Sequence, residues 1–338
     1  MRISAVIIVF NLEDYIGEAI DSVLNQSRRP DEIIVVDDCS TDASAERVKA
    51  YGADVRYLRM PVNSGALLTA LEGVKAAIGD VVCMLDGDDY WAPNKIEVVE
   101  REFLSDPDLL LLSHEHVRVD ADGTDLKIVD ETHHNISAIR RQAQSRAQLS
   151  ALLRETVLDQ KGYWLGSAYS FRRALFDIDK FESQIAGFGA EKLRKTYLDL
   201  TIAPFLVLTN PSKNVGYTPD TRFYYRIHDK ASLSGNVTPE KARESALKGK
   251  TINELINRIL HENGAAPRQL SRRRLILEEF DFLCALYQSD LKTAARLYAK
   301  LARRFWNTRQ LVKETKRFVA VAFLGAERFL QLKTKASR

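Results

Sequence analysis

The first hundred residues alternate between two patterns of apolar and polar positions. Four short apolar runs rich in β-branched residues, at 3–10, 32–36, 55–58 and 81–85, predict buried strands. The segments between them carry apolar residues at helical spacing, and helices are expected near Ser44, near Gly65 and after Pro93. Strands that alternate with helices in this way predict a mainly parallel sheet covered on both faces.

The pattern changes twice in the remainder of the chain. Strand-like stretches at 109–129, 166–171 and 222–227 alternate with helical stretches at 142–154 and 191–208, which predicts that the sheet becomes mixed. Beyond Pro239, charged and apolar residues recur at helical spacing, which predicts three or four helices. We therefore expect an α/β domain at 1–238, with halves 1–105 and 106–238, followed by a helical region at 239–338.

Composition excludes several classes of protein. The 338 residues carry 49 basic and 46 acidic side chains, and the net charge of +3 is too small to indicate nucleic acid as a partner. Three cysteines, Cys39, Cys83 and Cys284, indicate neither a disulfide framework nor a cysteine-based zinc site. The apolar run at 318–326 is about half as long as a membrane span requires. The N-terminal run reads as a strand and not as a signal peptide, so a cytoplasmic location is expected.

Acidic residues cluster where the predicted strands end. In an open α/β sheet, ligands bind outside the carboxyl ends of the strands. Asp86, Asp88 and Asp89 crowd three carboxylates around Gly87, an arrangement that repels itself unless a cation or hydrogen-bond donors neutralise it. Hard oxygen ligands favour Mg²⁺ or Mn²⁺. A solvated acidic turn or a helix cap is the alternative interpretation.

The second strand also ends in carboxylates. Asp37 and Asp38 can accept hydrogen bonds from a nucleobase or from ribose hydroxyl groups, although capping of the next helix would explain them as well. Beyond Cys39, the residues Ser40, Thr41 and Asp42 fit helix caps better than ligands.

An ordered series of these segments resembles the GT-A fold glycosyltransferases of family 2. The series comprises 5–11, 19–27, 32–42, Asn63-Ser64-Gly65 and 86–91, with a looser match at 166–228. The resemblance implies a Rossmann-like, mainly parallel mixed sheet with helices on both faces. One departure is that Ala70-Leu71 stands where the family often has Arg-Asn.

The resemblance also implies roles in donor binding. Asp37 or Asp38 would contact the nucleoside, Asp86 the ribose or sugar, and Asp88 would ligate a divalent metal, Mn²⁺ or Mg²⁺. The expected nucleotide-sugar site as a whole comprises Phe10, Asn11, Asp37, Asp38, Asn63, Gly65, Asp86, Gly87, Asp88 and Arg226.

Transfer of a sugar with inversion needs a base that accepts the proton of the attacking hydroxyl group. The family's base is an acidic residue at a helix start. Asp199 is the best match, and Glu191 is the alternative. Asp199 could instead be an ordinary polar residue on a helix face. In the family's closing segment, His228 would join Asp88 at the metal or contact the diphosphate, and Arg226 would neutralise phosphate oxygens. A purely structural histidine is the competing interpretation.

Acceptor contacts are expected from Trp164, Gly166 and Ser167, since aromatic faces stack on sugars, although core packing explains the tryptophan equally well. Basic and apolar residues mix at 313–335, as in amphipathic helices that lie on the anionic inner face of a membrane. Packing of these helices on the catalytic domain or on a second copy of the chain is the alternative.

The sequence therefore predicts a metal-dependent, inverting glycosyltransferase of polysaccharide biosynthesis. Its donor is expected to be a nucleotide sugar, with UDP as the favoured nucleotide, and its acceptor a glycan or a lipid-linked glycan. The alternative is an inactive nucleotide-binding scaffold protein of a polysaccharide assembly system.

Overall fold

The computed structural model describes residues 1–159, 166–197, 199–228, 239–304 and 309–336. The strands are β1 (Ile3–Val9), β2 (Glu32–Asp37), β3 (Arg56–Arg59), β4 (Val81–Asp86), β5 (Tyr90–Trp91), β6 (Leu109–Val119), β7 (Ser170–Arg172) and β8 (Asn214–Arg226). The helices of the first part are α1 (Ile16–Leu24), α2 (Ser44–Lys49), α3 (Ala66–Ala76), α4 (Lys95–Ser105), α5 (Glu131–Gln142), α6 (Arg146–Asp159), α7 (Ile178–Ile185), α8 (Ala190–Leu193) and α9 (Asp199–Thr209). The C-terminal helices are α10 (Pro239–Glu262), α11 (Pro267–Tyr287), α12 (Leu291–Arg304), α13 (Arg309–Leu324) and α14 (Ala326–Ala336).

The strands form one mixed sheet in the order β3-β2-β1-β4-β7-β6-β8-β5. The first four are parallel, with Val9 of β1 beside Asp37 of β2 and Ile8 beside Asp86 of β4. β7 is antiparallel to both β4 and β6, whereas β8 is parallel to β6. The register brings the carboxyl ends of β1, β2 and β4 to one edge of the sheet, as the sequence predicts.

Two apolar layers cover the sheet because the side chains of β1 alternate between its faces. Val6 and Ile8 join the cluster that contains α3, and Ala5 and Ile7 join the cluster that contains α1. Each cluster is fully enclosed at its centre, and burial of such aliphatic side chains contributes about 1.5–3 kcal/mol apiece. The predicted α/β fold with helices on both faces is confirmed.

The C-terminal helices pack in two ways. α10 places Leu255, Ile256 and Ile259 in the same core cluster as β1, so this helix is built onto the α/β domain. The other four helices, with Ala246 of α10, enclose a separate cluster around Phe282 and Leu286. The described part of the chain has five helices here, one more than the upper prediction, because Gly325 adopts a φ of 77° and ends α13. In the described residues, no helix combines the length and the hydrophobicity that a membrane crossing requires.

Four further elements differ from the prediction. Helix α5 was not expected, because only Ile136 on it is buried and its apolar periodicity is weak. The helix predicted at 191–208 is divided into α8 and α9, and the strand predicted at 166–171 begins with a 3₁₀ turn, Gly166–Ala168. Strand β8 begins eight residues earlier than the predicted start at 222.

The long β8 strand contains a bulge, which interrupts the sequence pattern by which a strand is predicted. His114 pairs with Thr218, but the next residue of β6, Glu115, pairs with Arg222. The residues between Thr218 and Arg222 therefore have no partner in the ladder, and Pro219 among them has no N–H to donate. Beyond the bulge the strand continues to Arg226 and leads directly to the candidate site.

Candidate active site

The acidic turn that follows β4 is anchored to β1 through Gly87. The Gly87 N–H donates to the carbonyl of Ile8 at 2.9 Å, and a Cβ atom at this position would lie 2.8 Å from the same oxygen. Glycine is therefore required for the close approach of the two backbones. The turn closes with a hydrogen bond from the Asp89 N–H to the carbonyl of Asp86 at 3.0 Å. The carboxylates of this turn thus stand at the carboxyl edge of the sheet.

Asp89 is the structural member of the turn. It is 3% exposed and accepts hydrogen bonds from the hydroxyl group of Ser167 at 2.6 Å and from the backbone N–H of Arg226 at 3.0 Å. Burial, and then the neighbouring charges of Asp88 and Asp86, raise the pKa of the Asp89 carboxyl well above its ordinary value. Its position between β7 and β8 ties the turn to the second half of the sheet.

Ser167 connects two of the carboxylate residues. Its hydroxyl oxygen accepts a hydrogen bond from the Asp86 N–H at 3.1 Å while its proton goes to Asp89. Its carbonyl oxygen accepts from Lys95 Nζ at 2.7 Å and from Trp91 Nε1 at 3.1 Å. Ser167 is fully buried, so the structure places it beneath the acidic turn, and its expected contact with an acceptor remains a prediction.

Lys95 is a buried cation below the acidic turn that sequence reasoning missed. It has no exposed surface, and its ammonium group lies 3.8 Å from the centre of the Trp91 ring. Burial lowers the pKa of Lys95 to about 7, while Cys83 and Asp89 act in the opposite direction. The sequence did offer one indication of this burial. In the helix predicted after Pro93, Lys95 lies among apolar residues that include Ile96 and Val99.

Asp88 and His228 lie together although 140 residues separate them in the chain. Asp88 Oδ2 is 3.1 Å from His228 Nε2. The side chain of Asp88 is 22% exposed, and that of His228 is 2% exposed. The ring of Tyr15 lies against the histidine, with centroids 4.5 Å apart. An octahedral ion with bonds of about 2.0–2.1 Å holds neighbouring ligand atoms about 3 Å apart. The spacing and the donor set therefore fit a divalent metal that both residues could hold.

Arg226 is buried and its guanidinium group is engaged by the protein. It donates to the carbonyl of Asp88 at 3.0 Å and to that of Ala121 at 2.6 Å, and it forms an ion pair with Glu18. Its guanidinium carbon also lies 5.1 Å from the centre of the Tyr15 ring. Arg226 fixes the backbone of Asp88, and the expected contact with phosphate oxygens remains a prediction.

Asp37 and Asp38 are buried and hold the loops around the end of β2. Asp37 accepts hydrogen bonds from the hydroxyl group of Tyr57 at 2.6 Å and from Arg59 at 2.5 Å. Asp38 accepts from the backbone N–H groups of Ser64 at 2.6 Å and Gly65 at 2.8 Å. Both side chains therefore already carry protein partners, and contact of either with a nucleoside remains a prediction.

The loops beside them contain the other predicted donor-binding residues. Phe10 is 42% exposed, Asn63 is half-buried, and Asn11 adopts a φ of 54° while its side-chain oxygen accepts from the Thr41 N–H at 2.8 Å. Gly65 adopts a φ of 86°, and a Cβ atom there would lie 2.4 Å from the carbonyl oxygen of Arg194.

Two sequence observations on these loops have structural explanations. Asp42 accepts from the N–H of Ser44, the first residue of α2, and from that of Glu13, whereas the N-cap position of the helix is Ala43 and has no side-chain cap. Ala70 and Leu71, the departure from the family pattern, are buried in the core on α3.

The predicted base candidates lie on neighbouring short helices. Asp199 is the first residue of α9, and Glu191 lies on α8 with 79% of its side chain exposed and an ion pair to Lys195 at 3.0 Å. This lysine lowers the pKa of Glu191. Of the predicted acceptor residues, Trp164 lies outside the described residues, and Gly166 faces Asp86, since a Cβ atom on it would lie 3.5 Å from Asp86 Oδ2.

Part of the chain matches a known protein family, and one relative matches most of its length. The family model described as Glycosyl transferase family 2 matches residues 4–159. An uncharacterized glycosyltransferase of Nostoc sp. strain PCC 7120 is 26% identical over 285 residues, which are 80% of each chain.

Two solved structures share the fold. TarS 1–349 of S. aureus, in complex with UDP-GlcNAc, is 17% identical with a TM-score of 0.52 and covers all of this chain and 93% of its own. The mannosyltransferase PcManGT of Pyrobaculum calidifontis, in complex with GDP-Man and Mn²⁺, is 14% identical with a TM-score of 0.51, covering 99% and 86%.

Proposed function

We propose that this chain, whose residues 4–159 match glycosyltransferase family 2 and which has a GT-A fold, transfers a sugar from a nucleotide-sugar donor to a glycan or lipid-linked acceptor. The observation that carries the proposal is the contact between Asp88 and His228 at the carboxyl edge of the sheet. Residues 1–105 would bind the nucleotide, and residues 106–238 would supply the acceptor site and the base.

Two structural relatives support a nucleotide-sugar donor. TarS is described with UDP-GlcNAc and PcManGT with GDP-Man, and both share the fold of this chain. We favour UDP as the nucleotide. The nucleoside would lie by the β1 and β2 ends, near Asp37 and Asp38, and the sugar by Asp86.

We propose that Asp88 and His228 hold a divalent metal, Mn²⁺ or Mg²⁺. The spacing of their ligand atoms and the partial exposure of Asp88 support this assignment, and PcManGT is described with Mn²⁺. When bound, the metal would offset the negative charge that develops on the departing diphosphate. The buried carboxyl group of Asp89 is held by Ser167 and Arg226, so it would position Asp88 and leave the ligand role to that residue.

The acceptor hydroxyl group would attack the anomeric carbon from the side opposite the diphosphate, which inverts the configuration there. Asp199, at the start of α9, would accept the proton of that hydroxyl group. Glu191 is disfavoured as the base because Lys195 lowers its pKa and the side chain is solvated. An NMR assignment of the anomeric configuration of the product would test the stereochemistry.

Thermal melting with nucleotides tests the donor and the metal together, because a ligand that binds only the folded state raises the melting temperature. The panel is UDP, GDP, UDP-GlcNAc and GDP-mannose, each with and without Mn²⁺. We expect a shift with UDP ligands that depends on Mn²⁺. Asp88→Asn should lose the Mn²⁺-dependent part of this shift.

Asp54→Asn is the matched control, since this exposed aspartate precedes β3 at the opposite edge of the sheet. It should retain the complete shift. An Asp88→Asn protein that responds to Mn²⁺ and UDP like the unmodified chain would remove Asp88 from the metal site. Absence of any shift with all four ligands would contradict the proposed donor class.

A further inference from the structure

A second cluster of metal-binding side chains lies on β6 and at the start of α5. Glu115, His116 and His133 each place one donor atom within 4.8 Å of the others. The two imidazole rings lie against each other, with centroids 4.2 Å apart. None of these residues is part of the proposed donor site, and His116 pairs with Phe223 of β8, five residues before His228.

One carboxylate orients both imidazole rings. Asp130 Oδ2 lies 3.1 Å from His116 Nε2, and Asp130 Oδ1 lies 2.9 Å from His133 Nδ1. Arg118 forms an ion pair with the same carboxylate at 2.6 Å, which keeps it an acceptor. In one pair of tautomers each ring donates its N–H to Asp130, and the lone pairs then fall on His116 Nδ1 and His133 Nε2. A carboxylate that accepts from the outer nitrogen of a histidine is the usual support of a metal-ligating imidazole.

Both lone pairs face Glu115. Its Oε1 atom lies 3.3 Å from His133 Nε2 and 4.0 Å from His116 Nδ1. Its Oε2 atom is held by the hydroxyl group of Tyr217 at 2.8 Å. A tetrahedral zinc ion with bonds of about 2.0–2.1 Å spaces its ligand atoms about 3.3 Å apart, so only small side-chain movements would be needed.

The metal-free cluster has a competing arrangement. In the other tautomer, His133 Nε2 carries the proton and donates to the carbonyl oxygen of His116 at 3.1 Å, while Nδ1 accepts from the Asp130 N–H at 3.3 Å. This arrangement satisfies His133 without an ion. Binding of a metal selects the tautomer in which Asp130 receives the N–H of both rings.

We propose that Glu115, His116 and His133 form a zinc site whose fourth position is open to water. Two imidazoles and one carboxylate suit Zn²⁺, whereas Mn²⁺ prefers sites richer in oxygen. The side chain of His116 is 3% exposed, while those of His133 and Glu115 are 19% and 28% exposed, so the ion can enter from the solvent side. The site is independent of the proposed transferase mechanism.

Zinc at this position would brace a wall of the candidate active site. The ion would link β6 to the first turn of α5, and therefore fix both ends of the loop at 120–130. The carbonyl of Ala121 in that loop accepts a hydrogen bond from Arg226, whose guanidinium group holds the backbone of Asp88. Through Arg226, the ion would stabilise the position of Asp88.

Zinc titration of the full chain tests the proposal. The protein is prepared without a histidine tag, stripped with a chelator, and titrated with Zn²⁺ by calorimetry and by competition with a chromophoric chelator. Glu115→Gln and His133→Gln should each lose one bound zinc equivalent. Circular dichroism of the metal-free variants establishes that they are folded, and either variant suffices if the other does not fold.

Matched controls separate this cluster from other zinc ligands. His134→Gln changes the adjacent exposed histidine of α5 and should retain the zinc equivalent. Asp88→Asn should retain it as well, because that change affects only the other candidate metal site. Asp130→Asn keeps a side chain that caps α5 but weakens the support of the rings, and should lower zinc affinity by about 10–100-fold.

Cobalt reports the coordination geometry, and a cluster held by hydrogen bonds alone would give no such signal. Co²⁺ bound by two imidazoles and a carboxylate in a tetrahedral site absorbs visible light strongly, and this band should be present in His134→Gln and absent in His133→Gln. The proposal is overturned if the unmodified chain binds no zinc beyond the amount lost in Asp88→Asn. It is equally overturned if both Glu115→Gln and His133→Gln bind zinc with unchanged stoichiometry and affinity.

Discussion

The hydroxyl group of Ser167 donates a hydrogen bond of 2.6 Å to the carboxylate of Asp89, which lies 78 residues earlier in the chain. Both side chains are buried. With the bond that the Asp86 N–H donates to the same hydroxyl group, this hydrogen bond joins the turn after β4 to the segment before β7. Burial raises the pKa of the Asp89 carboxyl group that accepts it. The acidic turn is thus held in place from beneath by a residue of the other half of the domain.

Removal of the Ser167 hydroxyl group should destabilise the protein. Ser167→Ala leaves Asp89 buried with one donor fewer, which costs about 1–3 kcal/mol of unfolding free energy. Urea unfolding followed by circular dichroism measures the change. Ser183→Ala is the control, because its exposed hydroxyl group bonds only the carbonyl of Lys180 in the same helix, and it should change stability little. Equal stability of the two variants would contradict the structural role of Ser167.

Stability should rise with pH above neutrality because of Lys95. The folded protein lowers the pKa of this lysine to about 7 from 10.5, so between these values unfolding takes up a proton. Stability is therefore lost as the pH falls towards 7 and gained as it rises, by up to about 1.4 kcal/mol per pH unit. Chemical unfolding at pH 7, 8 and 9 measures the slope. Lys95→Met should have a smaller slope, and an unchanged slope would assign the effect to other groups.

Gly65 should tolerate no side chain. Gly65→Ala combines a φ of 86° with a Cβ atom 2.4 Å from the backbone of Arg194. Gly187→Ala is the control, since its φ is 75° but a Cβ atom there has no neighbour within 4 Å. The control should cost about 1–2 kcal/mol. Gly65→Ala should cost about 1–3 kcal/mol more, measured by urea unfolding. A difference of zero would show that the loops move apart freely.

Asp199 and Glu191 should differ in their effect on transfer. Asp199→Asn should bind the donor normally and lose about 10²–10⁴ in transfer rate, which is the usual contribution of a positioned base. Glu191→Gln should keep its rate within a few-fold because Glu191 is solvated and paired with Lys195. Donor binding by melting and transfer by radiolabelled sugar separate the two properties. A normal rate in Asp199→Asn together with loss in Glu191→Gln would reverse the assignment.

If α13 lies on an anionic membrane, its exposed apolar side chains should be required for that binding. Val312, Val319 and Phe323 recur at helical spacing and are 54%, 45% and 86% exposed, beside the exposed Lys313 and Lys316. Phe323→Ser should reduce sedimentation with phosphatidylserine vesicles. Ile78→Ser removes a comparably exposed apolar side chain elsewhere and should leave sedimentation unchanged. Equal sedimentation of both variants and the unmodified chain would favour packing over membrane contact.

Strands β1, β2 and β4 could be predicted to within one residue because their side chains are mostly apolar and buried on both faces of the sheet, whereas β3, at the sheet edge, has exposed arginines at both ends. Burial on both sides gives a continuous apolar run that is hard to confuse with a loop. Helix α5 escaped prediction because Ile136 is its one buried side chain, Ile139 packs only partly buried against the core, and most of its other side chains are polar. Strand β8 was found only beyond its bulge, since Pro219 and Asp220 interrupt the strand pattern.

The sequence led us to expect Asp88 and His228 at one site, but it did not predict the residues that hold this site in place. Asp88 and His228 could be paired in advance because an ordered family pattern connects them. Lys95 and Ser167 could not, since their partners lie on other elements and no local pattern records such contacts. The same limit applies to Glu115 and His133, whose approach depends on where α5 packs against β6.

The bulge in β8 also bears on how this chain can vary in length. The residues between Thr218 and Arg222 are unpaired, and pairing with β6 resumes after them, with Arg222 beside Glu115. An insertion there would be absorbed by the unpaired loop. An insertion between Phe223 and His228 would instead turn alternate side chains to the opposite face and carry the imidazole away from Asp88. Relatives of this protein should therefore differ in length at the bulge and agree in length beyond it.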